Sequence, residues 1–528
     1  MAHKVMNFGS LLTQTARRLP NHVGLIQGER SWSWAELDRR SDAIVAALRR
    51  RGFGFGDRLI ILSYNNNAAF EALYAGFKLG AIVVPVNFRL TAVEIAYMAD
   101  ASGAKAMLYA GDFAAHVDAA KAAQPELKII LSVGAPRAGE EAWDDLAAEP
   151  FAPAETAPAA VEHDTVLWFF YTSGTTGRPK AAMLTHGQLT FVVMNFLADL
   201  LPGITEIDAS LAVGPLTHGA GIHALAAVAR GAPTVLMPTE KFDVEEAWRL
   251  IVAHRVSNLF TVPSIVNMLV DHPACDRVDH SSLRYVIYAG APMYRVDQKR
   301  ALEKLGKVLV QYYGMAEVTG NMTVLPAHLH TLDDNDTSLA PIGSVGYPRT
   351  GIDLCIMAPD GTRLPPGEQG EVCVRGGAVF AGYYQNPEAN AKAFAHGWFH
   401  TGDLGRMDER GFLTLTGRAS DMYISGGSNV YPREIEEVLL THPAVAEVAI
   451  VGVPHARWGE TGIAVLVLRP GESLDEAGAK TFLDGQVARY KQPTRIVFWD
   501  ELPKSGYGKV PKPLIRQRLA ERGEDQVG

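Results

Sequence analysis

Hydroxyl groups, glycines and a lysine are concentrated in one stretch, Tyr171-Thr-Ser-Gly-Thr-Thr-Gly-Arg-Pro-Lys180. This stretch continues an apolar segment that starts at Thr165 and predicts a buried strand. Glycines let backbone N–H groups turn toward an anion, hydroxyls donate further hydrogen bonds, and a lysine adds positive charge. The combination predicts a polyphosphate-binding loop. Its candidate ligands are Thr172, Ser173, Gly174, Thr175, Thr176, Gly177 and Lys180.

The loop does not have the Walker A pattern. Gly177 is followed by Arg178 and Pro179, where that motif requires Lys and then Ser or Thr. A kinase or P-loop ATPase interpretation therefore loses most of its support. A flexible Ser/Thr/Gly surface loop is the simpler alternative, but ten consecutive residues of this kind after an apolar strand favour the phosphate site.

Two further segments place chemistry-bearing residues at the end of a predicted strand. Tyr288-Ala-Gly-Ala-Pro292 offers a flat backbone surface at Gly290, Ala291 and Pro292 that suits an aromatic base, although such glycines more often only form turns. Gln311-Tyr-Tyr-Gly-Met-Ala-Glu317 supplies a ring for stacking at Tyr313 and a hard oxygen ligand for Mg²⁺ at Glu317. A glutamate after a strand is usually only solvated. Because the same chain has a predicted phosphate loop, the metal-ligand interpretation of Glu317 is favoured over a solvated glutamate.

Three residues closer to the C-terminus complete the candidate set. Asp403 ends the turn Phe399-His-Thr-Gly-Asp403, where its carboxylate could accept both hydroxyls of a ribose. Arg418 could reach the same sugar or a phosphate. Lys509 follows Gly506 and Gly508, which predicts a functional lysine on a mobile loop.

Histidines carry no metal argument. His218 and His223 match no zinc-ligand spacing and have no glutamate between them, so a zinc site is not expected. His328 and His330 stand in a segment that is predicted to be a polar loop.

The elements that must position these residues alternate between strand and helix, which predicts a parallel, doubly wound sheet. The predicted strands are 59–62, 82–85 and 106–109, with helices 68–79 and 91–102 between them. The same order returns with strands 210–215, 233–237 and 257–262 and helices 221–230 and 244–254. We therefore expect a second sheet of similar topology and leave an internal duplication open. Residues 135–163, rich in Ala, Pro and Glu, predict a surface connection.

The predicted secondary-structure pattern changes twice in the last third of the chain. From Pro341 short apolar segments alternate with Asp-Gly and Pro-Gly turns, which predicts a small antiparallel β-barrel or sheet. After residues 417–421 the order is α+β, with a helix at 432–440, strands at 445–453 and 462–468, and a mostly helical segment at 474–490. The predicted domains are a large N-terminal domain at 1–416, a hinge at 417–421 and a mobile C-terminal cap at 422–528.

Composition excludes several classes of protein. A chain of 528 residues is too long for one core, and its net charge of −9 argues against a nucleic-acid binder. The three cysteines are too scattered for a disulfide framework, which favours a reducing compartment. The sequence has no run of eighteen apolar residues, so no membrane span is expected. The first residues lack a signal-peptide pattern, and we therefore expect a cytoplasmic enzyme.

Taken in order, these segments resemble the adenylate-forming superfamily of acyl-CoA synthetases, peptide-synthetase adenylation domains and luciferases, over about residues 10 to 515. The matching motifs are the phosphate loop, Pro215–His218, Gly290–Pro292, Tyr313–Glu317, Thr401–Asp403, Gly417–Asp421, Ser425–Asn429 and Lys509. The order matches that of the family.

The resemblance implies a role for each motif. Adenine would lie against Gly290, Ala291, Pro292 and Tyr313, ribose against Asp403 and Arg418, and Mg²⁺ against Glu317 and Thr172. Tyr312 and Gly314 are further cofactor-binding candidates of the same motif. Lys509, His218 and Glu317 would be catalytic, with His218 gating the thiol channel, and Ser425, Gly426 and Gly427 would border the arm of coenzyme A.

Two positions depart from the family pattern. Ala316 stands where a threonine usually binds the α-phosphate, a loss of about 1.5–3 kcal/mol unless Thr319 or water replaces it. Ser420 stands where the hinge residue is usually acidic or a lysine, which leaves the identity of the hinge residue open.

The resemblance implies an AMP-forming acyl-CoA ligase that uses ATP, Mg²⁺ and coenzyme A. Three alternatives remain: an adenylation enzyme that loads a carrier-protein thiol, a luciferase-type oxidase and a non-catalytic nucleotide sensor. No carrier domain follows residue 515, and both Lys509 and Glu317 are present, which disfavours the first and the last.

The acid itself is not readable. Its pocket is expected to come from residues 218–226, 262–268, 288–294 and 311–322, which are mainly small or apolar. Arg295 is the one basic candidate partner for a second carboxylate, so a monocarboxylic acid, fatty or aryl, is favoured. A homodimer and acetylation of Lys509 are left open.

Overall fold

The computed structural model describes residues 5–172, 179–239, 241–291, 293–336, 338–418, 420–425, 428–504 and 510–527. Within these ranges the chain forms two large mixed sheets, a small antiparallel sheet and a separate C-terminal sheet.

The strands of the two large sheets mostly alternate with helices along the chain, as the sequence predicts. They are β1 (Val23–Gln27), β2 (Arg30–Ser33), β3 (Arg58–Leu62), β4 (Ile82–Pro85), β5 (Ala106–Ala110), β6 (Ile129–Val133), β7 (Glu141–Ala142), β8 (Val166–Thr172), β9 (Lys180–Thr185), β10 (Ser210–Ala212), β11 (Thr234–Leu236), β12 (Asn258–Thr261), β13 (Tyr285–Tyr288), β14 (Leu309–Tyr313), β15 (Thr323–Leu325) and β16 (Tyr347–Pro348). The later strands are β17 (Ile352–Met357), β18 (Gly370–Gly376), β19 (Phe399–Met407), β20 (Leu413–Arg418), β21 (Tyr423–Ser425), β22 (Ser428–Val430), β23 (Val445–His455), β24 (Gly459–Leu468) and β25 (Arg495–Phe498).

The α-helices connect these strands or cover the sheets. They are α1 (Ser10–Arg18), α2 (Trp34–Arg50), α3 (Asn67–Leu79), α4 (Ala92–Ser102), α5 (Ala114–Ala123), α6 (Trp143–Ala148), α7 (His186–Asn195), α8 (Gly219–Arg230), α9 (Val244–Ala253), α10 (Pro263–Asp271), α11 (Arg295–Leu305), α12 (Pro387–Ala393), α13 (Pro432–Leu439), α14 (Glu476–Leu483) and α15 (Lys512–Glu521). None of the helices in the described ranges has both the length and the apolar character that a membrane span requires.

The two large sheets repeat one topology, which confirms the expectation of similar sheets. The first runs β7-β6-β5-β3-β4-β8-β9, and the second runs β16-β15-β14-β13-β12-β10-β11-β1-β2. In both, four consecutive strands stand in the order fourth, third, first, second and pair in parallel. Each then continues into a parallel strand that pairs with an antiparallel neighbour, β8 with β9 and β1 with β2.

Local signals set the ends of the helices. Thr91 caps α4 in a reciprocal box with Glu94, and Gly103 ends it in the left-handed conformation at φ 63°. Ser33 forms the same box with Glu36, so β2 ends at Ser33 and α2 begins at Trp34.

The segment 135–163 is more than a surface connection. It contains α6, where the Trp143 side chain is buried and its indole donates a 2.8 Å hydrogen bond to Glu71 of α3. The abundance of Ala, Pro and Glu in the segment hides this core, because only a few of its residues, Trp143 and Leu146 among them, are large and buried.

The predicted small barrel takes the form of a four-stranded antiparallel sheet in the order β17-β18-β19-β20. Its last strand extends through Gly417 and Arg418, which pair with Leu404 and Asp403 of β19. The first two residues of the predicted hinge therefore belong to this sheet.

The C-terminal sheet has the order β22-β21-β24-β23, with β25 parallel to β24. Helix α13 matches its prediction to within one residue, but the predicted helix at 474–490 is wrong in extent. It ends at Leu483, because Asp484 is extended and Gly485 takes a φ of 77° that continues no right-handed helix.

Candidate active site

The phosphate loop connects β8 to β9, which form an antiparallel hairpin. Thr172 and Lys180 are register partners at its open end, so the two termini of the loop are adjacent. The residues at 168–170 that lead into it are buried, which anchors the hairpin in the core. Ser173, Gly174, Thr175, Thr176 and Gly177 lie outside the described residues.

Tyr383 connects the end of this hairpin to Glu317. The Lys180 ammonium lies 5.3 Å from the centre of the Tyr383 ring, and the Tyr383 hydroxyl donates a 2.9 Å hydrogen bond to Oε1 of Glu317. Burial, together with the Glu317 carboxylate, raises the pKa of Tyr383, so the phenol remains a hydrogen-bond donor. The sequence did not single out Tyr383, because a tyrosine beside another tyrosine carries no motif.

Glu317 is held on a short 3₁₀ turn, Ala316–Val318, and its side chain is buried. Its own carbonyl accepts a hydrogen bond from the backbone N–H of Phe380. The turn ends at Thr319, a non-glycine residue with a φ of 50°. The sequence placed Glu317 in the site, and the structure brings its carboxylate to the phosphate hairpin.

Tyr313, Asp403 and Arg418 meet as the sequence predicted. The Tyr313 hydroxyl donates a 2.6 Å hydrogen bond to Oδ2 of Asp403, and Nε of Arg418 lies 3.0 Å from Oδ1. Burial and then the Asp403 carboxylate raise the pKa of Tyr313. Asp403 raises the pKa of Arg418 and Glu317 contributes in the same direction, so the charges of this group and of Glu317 interact.

A second set of contacts holds the turn that carries Asp403. Oε1 of Glu371 accepts a 2.9 Å hydrogen bond from the N–H of Gly402, and Oε2 lies 2.8 Å from Nδ1 of His400. The Thr401 hydroxyl donates to the carbonyl of Val372 and accepts from the N–H of Asp403. Glu371 was missed from the sequence because it is far from the turn along the chain. Together with Cys373 and His400 it is a possible cation-binding group in the described residues.

Gly290 and Ala291 follow β13, which runs parallel to β14 with Tyr288 opposite Gln311. Parallel neighbours end at the same edge of a sheet, so this segment and Tyr313 lie side by side. Gly290 has a φ of 81°, a conformation that favours glycine. Pro292 is outside the described residues.

Tyr312 does not share the face of Tyr313. Successive residues of a strand point to opposite sides, and the Tyr312 ring stacks on Phe260 with centroids 5.6 Å apart. This placement puts the Tyr312 ring on the opposite side of β14 from Tyr313 and Asp403, and the cofactor-binding role of Tyr312 stays a prediction. Gly314 allows a close approach, since a Cβ there would lie 2.4 Å from the backbone of Gly320.

His218 stands immediately before α8, and its ring lies edge-on to Phe170 at 5.0 Å. Phe170 belongs to β8, so His218 is close to the strand that leads into the phosphate loop. His223, one turn further, is buried and its Nε2 lies 2.9 Å from Oδ1 of Asn258. Burial lowers the pKa of His223 to about 4.

The C-terminal candidates are placed only in part. Ser425 pairs with Ser428 at the end of the β21–β22 hairpin. Gly426, Gly427 and Lys509 fall outside the ranges that the structure describes. His330 lies outside a helix or strand, as the predicted loop requires, but its side chain is buried: it is 2% exposed, and its Nε2 lies 3.1 Å from the hydroxyl of Tyr288.

Known proteins are similar to this chain in sequence over nearly their whole length. The profile of the AMP-binding enzyme family matches residues 12–384, and that of its C-terminal domain matches 434–509. Feruloyl-CoA synthase of an Amycolatopsis species is 36% identical over 97% of this chain and 99% of its own. Indoleacetate–CoA ligase of Aromatoleum aromaticum is 33% identical over 96% and 98%.

The fold agrees with the sequence matches. The ATP-bound structure of MatB from Rhodopseudomonas palustris superimposes with a TM-score of 0.86 at 30% identity, over 97% of this chain and 99% of the other. A family profile that spans most of the chain, full-length relatives and a common fold lead to one conclusion: the chain belongs to the adenylate-forming AMP-binding enzyme family.

Proposed function

We propose that this chain is an AMP-forming acyl-CoA ligase that activates a monocarboxylic acid with ATP and transfers the acyl group to coenzyme A. The observation that supports it is the convergence of the phosphate hairpin, Glu317 with Tyr383, and Tyr313 with Asp403 and Arg418. These groups match the triphosphate, the metal and the nucleoside of one ATP molecule.

In the first step the acid carboxylate attacks the α-phosphorus of ATP. The bond to the bridging oxygen breaks, which yields an acyl-adenylate and pyrophosphate. Thr172, Lys180 and the loop 173–177 hold the leaving pyrophosphate, and Lys509 stabilises the negative charge that develops between carboxylate and phosphate. Tyr313, Gly290, Ala291 and Pro292 hold adenine.

Asp403 and Arg418 hold the ribose. The Asp403 carboxylate accepts one hydrogen bond from Tyr313, and each of its oxygens has a further lone pair for a sugar hydroxyl. Glu371 positions the turn that presents this carboxylate.

The residues at Glu317 and Thr172 fit Mg²⁺. A buried carboxylate and a hydroxyl are hard oxygen donors, and Mg²⁺ favours such ligands together with substrate phosphates. When bound, Mg²⁺ neutralises phosphate charge. Tyr383 keeps the Glu317 carboxylate oriented by its hydrogen bond.

In the second step the thiol of coenzyme A attacks the carbonyl carbon of the adenylate, loses its proton and displaces AMP. The cap, residues 422–528, rotates between the steps, withdraws Lys509 and presents Ser425, Gly426 and Gly427 to the pantetheine arm. His218, beside Phe170, gates the path of the thiol. Because Gly417 and Arg418 still pair with β19, we place the pivot of the hinge after Arg418.

The acid is a fatty or aryl monocarboxylate. The feruloyl and indoleacetyl groups in the names of two relatives support the aryl class. We propose a cytoplasmic location, which agrees with the free thiols of Cys355 and Cys373 on facing strands. Acetylation of Lys509 and a homodimer remain proposals.

The test measures pyrophosphate release, coenzyme A consumption and AMP formation with ATP and Mg²⁺ across short-chain, medium-chain, aryl and dicarboxylic acids. Formation of AMP that requires coenzyme A, with one class of acid, supports the ligase. Release of pyrophosphate with coenzyme A unconsumed indicates a carrier-protein acceptor. Absence of both with every acid contradicts the proposal.

A further inference from the structure

Arg349, directly after β16, is a buried arginine that the sequence did not single out. Its side chain is 1% exposed, and its guanidinium lies over the Phe196 ring at 4.8 Å. Among the described residues none of its three guanidinium nitrogens has a hydrogen-bond partner. Buried polar groups are nearly always bonded, so this side chain requires an explanation.

Asp199 offsets the charge of Arg349 but accepts no hydrogen bond from its guanidinium. Its Oδ2 lies 3.8 Å from Nε of Arg349, which is beyond hydrogen-bond distance. Both carboxylate oxygens already accept hydrogen bonds from Thr350, one from the N–H and one from the hydroxyl. Burial lowers the pKa of Arg349 to about 9, which leaves the guanidinium protonated at neutral pH.

Asn321 and His223 add further buried polar atoms without partners in the described residues. Both side-chain atoms of Asn321 are unpartnered, as is Nδ1 of His223. Phe196 connects the group, since its ring lies 6.3 Å from His223 and 6.4 Å from Tyr312 as well as beneath Arg349. The N–H of Arg349 also donates to the carbonyl of Met322, next to Asn321.

This group lies on the side of β14 that faces away from the nucleotide residues. Tyr312 points to it, whereas Tyr313 points to Asp403. The Phe260 ring that stacks on Tyr312 also borders Gly219, beside His218, where a Cβ would lie 2.6 Å from it. His223, Tyr312 and Asn321 belong to the segments 218–226 and 311–322 from which the sequence predicts the acid pocket.

We propose that Arg349 and Asn321 form a recognition site for a neutral carbonyl oxygen at the far end of the carboxylic acid. The inference rests on the proposed function, which it deepens by naming the substrate class. Guanidinium and amide N–H groups donate, so the bound group must accept. Because Asp199 already offsets the charge of Arg349, a second carboxylate would bring an uncompensated charge into a buried site.

The experiment compares matched acids that differ in this oxygen alone. These are para-acetylphenylacetate, para-ethylphenylacetate and para-carboxyphenylacetate, with kcat/KM measured for AMP formation that depends on coenzyme A. We expect the acetyl acid to exceed the ethyl acid by about 10- to 100-fold, the range for a hydrogen bond to a charged group.

Arg349→Leu is expected to bring the acetyl-to-ethyl ratio close to one. Arg349→Lys, a cation with other geometry, is expected to give an intermediate ratio. Arg375→Leu is the matched control, because Arg375 is an exposed arginine paired with Asp353 and its loss is expected to leave the ratio unchanged. A ratio is independent of the amount of folded enzyme. If Arg349→Leu fails to fold, the wild-type ratio and Arg349→Lys decide.

Three results would overturn the proposal: equal use of the acetyl and ethyl acids by the wild type, a preference that survives in Arg349→Leu, or a carboxy acid that is the best of the three. Each of these leaves the ligase activity intact. No AMP formation with any acid would overturn the proposed function, and this proposal with it.

Discussion

The hydroxyl of Tyr383 donates a 2.9 Å hydrogen bond to Oε1 of Glu317, although 66 residues separate them along the chain. The same phenol ring lies 5.3 Å from the Lys180 ammonium. One tyrosine thus connects the end of the phosphate hairpin with the carboxylate proposed to hold Mg²⁺. This hydrogen bond restricts rotation of the buried Glu317 carboxylate about its side-chain bonds.

Replacing Tyr383 by Phe removes this hydrogen bond and keeps the ring. We expect about a 10-fold loss in kcat/KM for ATP and a higher Mg²⁺ concentration for half-maximal rate, because Glu317 loses its positioning donor. Steady-state kinetics with varied Mg²⁺ provide the measurement. Tyr384→Phe is the control, since that ring packs on Phe169. An unchanged Mg²⁺ dependence in Tyr383→Phe would contradict the role.

Asp403→Asn tests the ribose site. Loss of the charged acceptor is expected to raise the KM for ATP by about 10- to 100-fold. The wild type should use an ATP analogue that lacks both ribose hydroxyls poorly, and the variant should discriminate far less. Asp353→Asn, at an exposed pair with Arg375, is the control. A variant that still discriminates as the wild type does would show that ribose binds elsewhere.

Thr319 is the candidate to replace the hydroxyl that Ala316 lacks. Its Oγ1 is buried and has no hydrogen-bond partner in the described part of the chain. We expect Thr319→Ala to lower the rate of adenylate formation about 10-fold and Thr319→Ser to retain it. Introducing Ala316→Thr into Thr319→Ala should restore part of the rate. Equal rates for the Ala and Ser variants would exclude the compensation.

Lys509→Ala separates the two steps. Loss of a preorganised charge is expected to lower adenylate formation by about 100- to 1000-fold. Thioester formation from a supplied acyl-adenylate should change little, because the proposed rotation of the cap withdraws Lys509 in that step. Lys504→Ala, which breaks an exposed pair with Glu447, is the control. Similar losses in both steps would contradict the rotation of the cap.

Stability should fall at acid pH through buried histidines. Burial lowers the pKa of His330 to about 4, so the unfolded chain takes up the proton first. The neutral side chain contributes fully above pH 6.5, and at pH 4 about 3 kcal/mol of unfolding free energy is lost. Denaturant unfolding of His330→Gln should show a smaller loss over this range than the wild type. His328→Gln, on the same segment and exposed, should behave like the wild type.

Local residue patterns were enough for most of the elements. Strand β4 lies where its apolar run predicts, and α4 begins after Thr91 and ends before Gly103, because capping and left-handed glycine act within a few residues. The helix within the predicted helical segment 474–490 is shorter than that segment for the same reason, because Gly485 has a φ of 77° and ends it locally.

The residues of the candidate site also fall into those that stand in local motifs and those that make long-range contacts. The sequence predicts roles for Tyr313, Glu317, Asp403 and Arg418, because each stands in a short motif at the end of a strand or in a turn. The contacts of Tyr383, Glu371 and Arg349 were not predicted, because each connects distant parts of the chain and carries no local signal. The opposite orientation of Tyr312 follows from strand alternation, but which face holds the nucleotide depends on the position of β19.

By itself the sequence determined the alternation of strands and helices, the position of the phosphate loop and the resemblance to adenylate-forming enzymes, because those depend on neighbours along the chain. Only the tertiary structure decided which carboxylate faces which phenol, that His330 is buried, and that Arg349 lies without hydrogen-bond partners beside Phe196. The physical reason is that burial and long-range pairing depend on how distant elements pack together. The sequence around a single residue does not indicate which distant element that residue will contact.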